Sequence, residues 1–491
     1  MDRPNFDLSE KERMGLIRLL LANLGQYYNG TDKLKVSRQA NREEVRSLVL
    51  SNDFENPLDF KHSLSNVLKG LTEYGLHTPH PRYFGLFNPR TSFASILADV
   101  VTAVFNPQLA MWSHAPYAVE LEYQLVQQFG RKFGYSQDVG GTFCTGGAEA
   151  NLTAMVMALN HAFPDYGKSG IQGIKQPPLL YCSRETHHSI LKAARVCGLG
   201  SNAIVPIDTD DRYRIDLELL KSRLESDIAS GMAPFMIIGT AGTTGYGAID
   251  DLEGLSAIAG KFGIWFHVDA AFGGALKFSA KQEKYLRGMN NGDSITFDLH
   301  KWLSVPMGAS LFLTSRPELQ GRTFSARTEY MPKDSKIAHG SFPDPYVNSI
   351  QWSRRFIGLK IYMALSFHGW KALEEQVDHH LELAEHLRER LLATGWIIKN
   401  HTVLPIVLFS HSYFDEDGAF ARQLCDEIVH SGTFWISVYP VQGVNALRAC
   451  ITNYASSKED VEALVKLMNI YVEKYMGNRP AKKSVGQQGS I

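Results

Sequence analysis

Between residues 120 and 315, short apolar runs alternate with helical segments, and this alternation limits the fold more than any other feature of the chain. Parallel strands buried on both faces are short and continuously apolar, and each needs a crossover, usually a helix, to reach the next. The pattern therefore predicts an α/β domain with a largely parallel sheet. The candidate strands are Leu179 to Cys182, Phe235 to Gly239, Ile264 to Val268, Ser294 to Phe297, and Ser310 to Leu313.

Helix signals support this reading. Asp250 is expected to cap a helix over residues 252–261, which Gly263 ends before the next strand. A second helix, over residues 150–158, follows a run of small residues. The large domain is predicted to span residues 96–350.

An N-terminal helical arm or lobe is predicted over residues 1–95. Its periodicity favours a helix from Lys11 to Tyr27, and its prolines favour an extended stretch from His77 to Pro81. Residues without periodicity or apolar character, 479–491, are predicted to form a flexible tail.

A smaller α+β domain is predicted over residues 351–478. It would contain a long helix over residues 373–392 and strands near residues 403–409 and 446–452. A closing helix is indicated by the capping-box pair Ser456 and Glu459.

Composition excludes several classes of protein. Fifty Lys and Arg residues against 51 Asp and Glu give a net charge of -1, which disfavours a nucleic-acid binder. Five scattered cysteines without C-x-x-C pairs indicate neither a disulfide framework nor a zinc cluster. No run reaches the roughly 20 apolar residues of a membrane span, and the N-terminus lacks the pattern of a secretory signal. A cytoplasmic protein is expected.

Two segments carry the strongest chemical signal. Asp269 ends an apolar run in His-Val-Asp-Ala-Ala, and Lys301 follows another in His-Lys-Trp. A carboxylate at the end of a buried strand needs a cation or several donors, and a partly desolvated lysine can act as a neutral amine toward a carbonyl. Taken singly, Asp269 could be a capped or salt-bridged structural aspartate, and a lone lysine in the position of Lys301 is more often a solvated strand-end residue.

Other patterns point elsewhere or nowhere. Small residues from Thr145 to Ala148 precede a helix, where free N–H groups can bind an anion, although a plain turn has the same pattern. Histidines and glutamates near residues 379–386 lie on a charged helix without an H-E-x-x-H motif, so no metal site is predicted. Gly245-Tyr246-Gly247 lacks the third glycine of a dinucleotide fingerprint.

Together these motifs resemble those of the group II pyridoxal-phosphate-dependent amino-acid decarboxylases, which have fold type I. The resemblance runs from about Pro79 to Tyr454, and its motifs occur in the family's order. They are His80 to Phe84, Ala115-Pro116 with Glu122, Thr145 to Asn151, the His187 segment, His267 to Ala271, His300 to Trp302, and Ser353 to Phe356. The resemblance implies pyridoxal 5'-phosphate as cofactor, a seven-stranded sheet and a homodimer.

The resemblance also implies roles for individual residues. Lys301 would form the Schiff base with the cofactor, Asp269 would pair with the pyridine nitrogen, and His187 would stack on the ring. His188 leaves the last assignment open by one position. The remaining implied cofactor contacts are Thr145, Gly146, Gly147, Ala148, Thr243, Thr244, Ala271 and His300. Ala148 stands where the family often has a hydroxyl residue.

Substrate contacts are implied less sharply. A loop tyrosine of the family returns a proton after carbon dioxide leaves, and Tyr346 is the candidate here with Tyr330 as its competitor. The implied substrate-pocket residues are Tyr83, Phe84, Trp112 and Arg448. Core packing is the commoner role for such aromatic residues, and Arg448 has either a structural or a carboxylate-binding role. Nearby Arg82 and His114 leave both aromatic and acidic substrates open.

The predicted activity is decarboxylation of an L-amino acid to the corresponding amine and carbon dioxide. The alternatives are a transaminase, an aldehyde-forming decarboxylase, a carbon–carbon lyase, and a binding module of the same fold without catalysis. A transaminase or an aldehyde-forming decarboxylase could use the same lysine and aspartate, so the products distinguish them. A carbon–carbon lyase acting on a phosphorylated amino alcohol would need a further basic site for the substrate phosphate, and the sequence shows none.

Overall fold

The computed structural model describes residues 8–135, 139–326 and 344–478. A seven-stranded sheet forms the centre of the large domain, in the order β1-β7-β6-β5-β4-β2-β3. Its strands are β1 (Gly140–Cys144), β2 (Pro178–Ser183), β3 (Ile204–Ile207), β4 (Ala233–Thr240), β5 (Trp265–Asp269), β6 (Ser294–Asp298) and β7 (Ser310–Thr314). Only β7 runs antiparallel to its neighbours β1 and β6. The largely parallel sheet predicted from the apolar runs is confirmed.

Successive residues of the central strands enter two different cores. Tyr181 and Ile237 belong to the core on one face, whereas their neighbours Leu180 and Met236 belong to the core on the other. Because side chains alternate along a strand, burial on both faces requires continuous apolar runs. This is why five of the seven strands were predicted from the sequence, whereas β1 and β3 were missed.

Helices cover both faces of this sheet and extend at either end of the chain. They are α1 (Glu10–Gly30), α2 (Arg42–Val49), α3 (Phe60–Tyr74), α4 (Phe93–Phe105), α5 (Pro116–Phe133), α6 (Gly147–Ala162), α7 (Tyr166–Ser169), α8 (Ser189–Val196), α9 (Leu217–Ala229), α10 (Leu252–Phe262), α11 (Pro317–Phe324), α12 (Gly358–Ala393), α13 (Gly418–Ser431) and α14 (Lys458–Asn478). Among the described residues, no helix is both long and apolar enough to cross a bilayer.

A second, antiparallel sheet of four strands has its own core. Its strands are β8 (Trp396–Ile398), β9 (Ile406–His411), β10 (Ser437–Val441) and β11 (Val444–Cys450), in the order β10-β11-β9-β8. The first part of α12 packs in the large-domain core and its end packs in this second core. The helix bends at Gly369, whose φ of 72° lies in the left-handed region.

Three local predictions were wrong. Asp251, not Asp250, caps α10 by accepting a hydrogen bond from the Gly254 amide. Asp250 is instead buried, where it accepts from the amides of Ile215 and Thr240. Burial raises the pKa of Asp250 to about 6.

The second error concerns the start of α14. Ser457 and Asp460 form the reciprocal cap there, one residue after the expected pair, because Ser456 donates its hydroxyl to the Pro81 carbonyl. The third concerns residues 77–81, which turn rather than extend. Their turns are closed by hydrogen bonds from the His80 amide to His77 and from the Tyr83 amide to His80, and Pro81 suits the second position of the latter.

Candidate active site

The carboxyl ends of β4, β5 and β6 and the beginning of α6 meet around a cavity of about 370 Å³. Open parallel sheets place ligand sites at this edge, because the loops that follow the strands converge there. The cavity is lined by Leu86, Phe87, Gly146, Gly147, Ala148, Asn151, His187, Ser189, Thr240, Gly242, Thr243, Thr244, Asp269, Ala271, Phe272, Asp298 and Lys301. Asp269 and Lys301 thus line one cavity.

Asp269 is held as a buried acceptor at the end of β5. Its Oδ2 accepts from Asn151 Nδ2 at 2.9 Å, and its Oδ1 accepts from the Ala271 amide at 3.2 Å. These two donors fix the carboxylate in the cavity wall while leaving lone pairs for a further donor. A protonated heterocyclic nitrogen is a donor of this kind.

A neutral hydrogen-bonded chain supports Asp269 from behind. Asn151 gives its amide protons to Asp269 and Ser189, so its Oδ1 must accept from His267 Nε2, at 3.0 Å. His267 Nδ1 then accepts from Ser294 Oγ at 2.8 Å. Burial lowers the pKa of His267 to about 4, which keeps the imidazole neutral and consistent with this tautomer.

Lys301 follows β6 and forms an ion pair that the sequence did not reveal. Its Nζ lies 3.0 Å from Oδ2 of Asp298, the last residue of β6. The neighbouring Trp302 is fully buried and donates its indole N–H to His380 Nδ1 at 2.7 Å. Burial lowers the pKa of His380 to about 3, so it remains a neutral acceptor that anchors the backbone beside Lys301.

The beginning of α6 offers free N–H groups to an anion. Its N-cap, Gly146, is extended and has no side chain to cap the helix. A Cβ at Gly146 would lie 4.0 Å from Cε1 of His300, so the His300 ring faces this segment. Uncapped N–H groups at a helix start bind phosphate well, which fits a phosphorylated cofactor.

The comparisons with known proteins decide the family. Residues 48–412 match the pyridoxal-dependent decarboxylase conserved domain. The chain belongs to this family. As a member, it is a pyridoxal-phosphate-dependent amino-acid decarboxylase.

Relatives of this decarboxylase differ in the substrates that their names give. The chain is 26% identical to an aromatic-L-amino-acid decarboxylase of Bacillus atrophaeus, over 93% of this chain and 95% of the relative. It is 28% identical to the acidic amino acid decarboxylase GADL1 of Bos taurus, over 82% and 80% respectively.

Solved structures share the fold of this decarboxylase. Mouse CSAD has a TM-score of 0.85 at 24% identity and covers 93% of this chain and 98% of its own. Oryza sativa TDC with PLP and tryptamine has a TM-score of 0.89 at 20% identity, covering 97% and 100%. The fold type I architecture expected from the motifs is confirmed.

Several other predicted cofactor residues of the decarboxylase line the cavity. They are Gly146, Gly147, Ala148, His187, Thr243, Thr244 and Ala271. His187 Nδ1 accepts from the Ser189 amide, so the ring carries its proton on Nε2, and partial burial lowers the pKa of His187. His188 does not belong to the lining set. Thr145 lies outside it too, since Glu149 occupies its amide and hydroxyl.

Arg448 lies behind the cavity wall. Its guanidinium is buried and donates to the carbonyls of Gly85 and Thr244, both at 2.9 Å. The Phe87 ring stands in front of it, with its centroid 5.3 Å from both Arg448 Cζ and Lys301 Nζ. Arg448 therefore joins the small domain to two loops of the site.

The four predicted aromatic residues lie elsewhere in the described chain, outside the set that lines this cavity. Phe84 is fully buried in the core of the small domain, and Tyr83 packs on Trp435. Trp112 donates from its amide to Asp344, and Tyr346 packs against Trp352 with ring centroids 4.8 Å apart. Tyr330 lies outside the described residues.

Six lining residues with polar or aromatic side chains were missed: Phe87, Asn151, Ser189, Thr240, Phe272 and Asp298. Asn151 was visible only as part of a motif, and Ser189 had no signal of its own. Asp298 could have been noticed as a second acid at the end of an apolar run, and Phe87 as an aromatic residue near the His-Pro motif.

Proposed function

We propose that Lys301 carries the cofactor of this decarboxylase and that Asp269 keeps the cofactor's ring protonated during removal of carbon dioxide from an L-amino acid. The observation that carries the proposal is the presence of both residues in one cavity, beside an uncapped helix N-terminus. Bound pyridoxal phosphate supplies an electron-withdrawing ring that accepts the electron pair left by the departing carboxylate.

Different residues of the chain are proposed to bind the aldehyde, the phosphate and the pyridine nitrogen of the cofactor. The Lys301 amine binds the aldehyde carbon, and the first N–H groups of α6, with His300 beside them, bind the phosphate. Asp269 holds a proton at the pyridine nitrogen, since Asn151 and the Ala271 amide fix its carboxylate. The proposal therefore needs no metal ion.

Two residues are proposed to act on the substrate. His187 and Ala271 line the same cavity, where His187, a neutral imidazole with its Nε2 proton free to donate, would lie against the cofactor ring and reach the substrate. Tyr346 returns a proton to the α-carbon. Since Tyr346 lies outside the set that lines its own chain's cavity, we assign its action to the cavity of a partner subunit. Trp112, which was also predicted for the pocket, is assigned likewise to the two-chain site. Tyr83 is buried against Trp435 in its own chain, so it is not assigned to the partner's cavity.

A homodimer is part of the proposal. Helix α4 buries Ser95, Ala98 and Thr102 on one face and exposes a row of large apolar side chains on the other. These are Phe93, Leu97, Val100, Val101, Val104 and Phe105, with Val104 76% exposed and Phe105 78% exposed. Helices α1, α2 and α3 bury no residue in the single chain. Apolar surface of this extent is typical of a subunit interface.

We propose a cytoplasmic location as well. All five cysteines are free and buried in the structure, as expected for a protein that matures in a reducing compartment.

The decisive experiment measures products. Purified protein loaded with pyridoxal phosphate is incubated separately with aromatic and acidic L-amino acids, cysteine sulfinate and diaminobutyrate. The proposal predicts carbon dioxide and an equal amount of the corresponding amine from at least one of them. A keto acid would favour the transaminase, and an aldehyde with ammonia the aldehyde-forming enzyme. Loss of turnover in Lys301→Ala separates an enzyme from a binding module.

A further inference from the structure

Asp298 is a second carboxylate in the cavity, and none of the roles proposed above uses it. Only 3% of its surface is exposed. One oxygen, Oδ2, pairs with the Lys301 ammonium at 3.0 Å. The other, Oδ1, is buried and has no hydrogen-bond partner among the described residues. A buried acceptor without a hydrogen-bond partner lowers the stability of the fold unless it is protonated or receives a donor.

The carboxyl group also stands over the first turn of α6. A Cβ added to Gly147 would lie 2.9 Å from Oδ2 and 3.0 Å from Oδ1 of Asp298. This is the helix start at which the phosphate is proposed to bind. A carboxylate and a phosphate at the same helix start would repel each other, whereas a neutral carboxyl group can donate its O–H to a phosphate oxygen.

We propose that Asp298 accepts the proton of the Lys301 ammonium when the cofactor aldehyde consumes the amine, and that the neutral carboxyl group then donates a hydrogen bond to the phosphate. This inference rests on the proposed function. The ammonium first transfers one proton to Asp298. The neutral nitrogen then forms a C=N bond with the aldehyde carbon, and the carbonyl oxygen leaves as water with the two remaining amine hydrogens.

The reverse transfer follows when a substrate amine takes the place of Lys301. The released lysine amine recovers its proton from the Asp298 carboxyl group, and the ion pair seen here is restored. One buried group thereby stores a proton while the lysine is engaged, so that formation of the linkage does not depend on solvent to remove it.

The other titratable groups near Asp298 are neutral, so Lys301 is the group that can give it a proton. His300 Nε2 lies 3.9 Å from Oδ2, and His187 and Cys144 are the other titratable groups that interact with it in the described chain. Burial lowers the pKa of both histidines and raises that of the Cys144 thiol, so all three are neutral near pH 7. Among the residues described, the cation in contact with Asp298 is Lys301.

Proton counting tests the inference directly. Pyridoxal phosphate is titrated calorimetrically into cofactor-stripped protein in two buffers of different ionisation enthalpy, near neutral pH. On binding the cofactor, wild type should retain about one more proton than Asp298→Asn. The asparagine side chain is neutral with and without cofactor and cannot accept the lysine proton. Asp251→Asn, a change at an exposed helix cap, should match wild type. The inference is overturned if wild type and Asp298→Asn both bind the cofactor and exchange equal numbers of protons.

An infrared measurement on wild type covers the case in which the variant does not fold. The difference spectrum between cofactor-bound and cofactor-free protein should show a new protonated-carboxyl band, and a folded Asp298→Asn protein should lack it. Absence of the band in wild type that has bound cofactor overturns this inference alone. Failure of wild type to bind pyridoxal phosphate at all would overturn the proposed function together with it.

Discussion

At the scale of single residues, Asn151 helps to hold Asp269, the acid of the proposed cofactor site. Its amide donates to Asp269 and Ser189 and its carbonyl faces His267, so three elements of the chain meet at one side chain. The sequence predicted Asp269 and Lys301 because each ends an apolar run. It gave no independent signal for Asn151, whose partners lie 38 and 118 residues away in the chain.

Replacing Asp269 by Asn should keep the hydrogen bond to Ala271 but remove the charge that stabilises a protonated ring. Hydrogen bonds to charged groups contribute about 1.5–3 kcal/mol, so kcat/KM should fall by about 10- to 100-fold at saturating cofactor. Steady-state carbon dioxide release measures this. Asp251→Asn serves as the control, since Asn also caps helices well. Equal loss in both variants would contradict the role of Asp269.

His267 predicts a dependence of stability on pH. Because its folded pKa of about 4 lies below the ordinary 6.5, the unfolded chain binds a proton first as the pH falls. The free energy of unfolding should therefore be unaffected by His267 above pH 6.5 and should fall by about 3 kcal/mol toward pH 4.

Urea unfolding of His267→Gln at several pH values tests this dependence. The variant should lose stability less steeply than wild type over that range, whatever its stability at neutral pH. An exposed histidine provides the control, and His401→Gln should retain the wild-type slope. Equal slopes for wild type and His267→Gln would show that burial does not hold this histidine neutral.

At the scale of elements, the sequence predicted the alternation of strands and helices, but it missed strands β1 and β3 and the details of the element ends. Apolar runs predicted five strands of the large sheet because burial on both faces leaves little choice of residue. The caps at Asp251 and Ser457 were each missed by one residue. Two adjacent acids, or two adjacent serines, have the same tendency to cap a helix, and hydrogen bonds to distant parts of the chain decide which of them is available. Asp250 accepts hydrogen bonds from two backbone amides, and Ser456 donates its hydroxyl to the Pro81 carbonyl, so neither caps its helix.

The beginning of α6 gives a prediction at this scale. In Gly147→Ala the new methyl group would lie 2.9 Å from Asp298 Oδ2, and it would narrow the proposed phosphate site. The dissociation constant of pyridoxal phosphate should rise about 10-fold or more, a cost of about 1.4 kcal/mol or more. Fluorescence titration of the cofactor measures it.

Gly260→Ala is the matched control for that change. Gly260 lies within α10, and a Cβ there meets nothing within 4 Å. This variant should keep the wild-type affinity for the cofactor and gain about 0.5–1 kcal/mol of stability. An unchanged affinity of Gly147→Ala for pyridoxal phosphate would contradict the proposal that the start of α6 binds the phosphate.

At the scale of the whole molecule, two features of the single chain support the proposed homodimer. The aromatic residues expected around the substrate lie outside the cavity wall, and α4 exposes a row of apolar side chains. Neither feature could be predicted from periodicity, because an amphipathic helix does not reveal which of its neighbours belongs to another chain. The domain boundaries at residues 95, 350 and 478 stay predictions. Helix α12 packs in the cores of both domains and so connects them.

A charge placed on α4 tests the dimer. Wild type should have twice the chain mass of 54.9 kDa, and Val104→Asp should dissociate at concentrations at least about 10-fold higher than wild type, because an unpaired charge is costly to bury. Mass photometry over a dilution series measures this. Val196→Asp, also at an exposed helical valine, should leave the dimer intact. A monomeric wild type with full activity would contradict a site shared between chains.

The position of the cofactor linkage tests the central claim most directly. The holoenzyme is reduced with borohydride, digested, and examined by peptide mass spectrometry for a pyridoxyl-phosphate adduct. The adduct should lie on Lys301 and should disappear in Lys301→Ala. An adduct on a different lysine, or none in a protein that decarboxylates amino acids, would contradict the account.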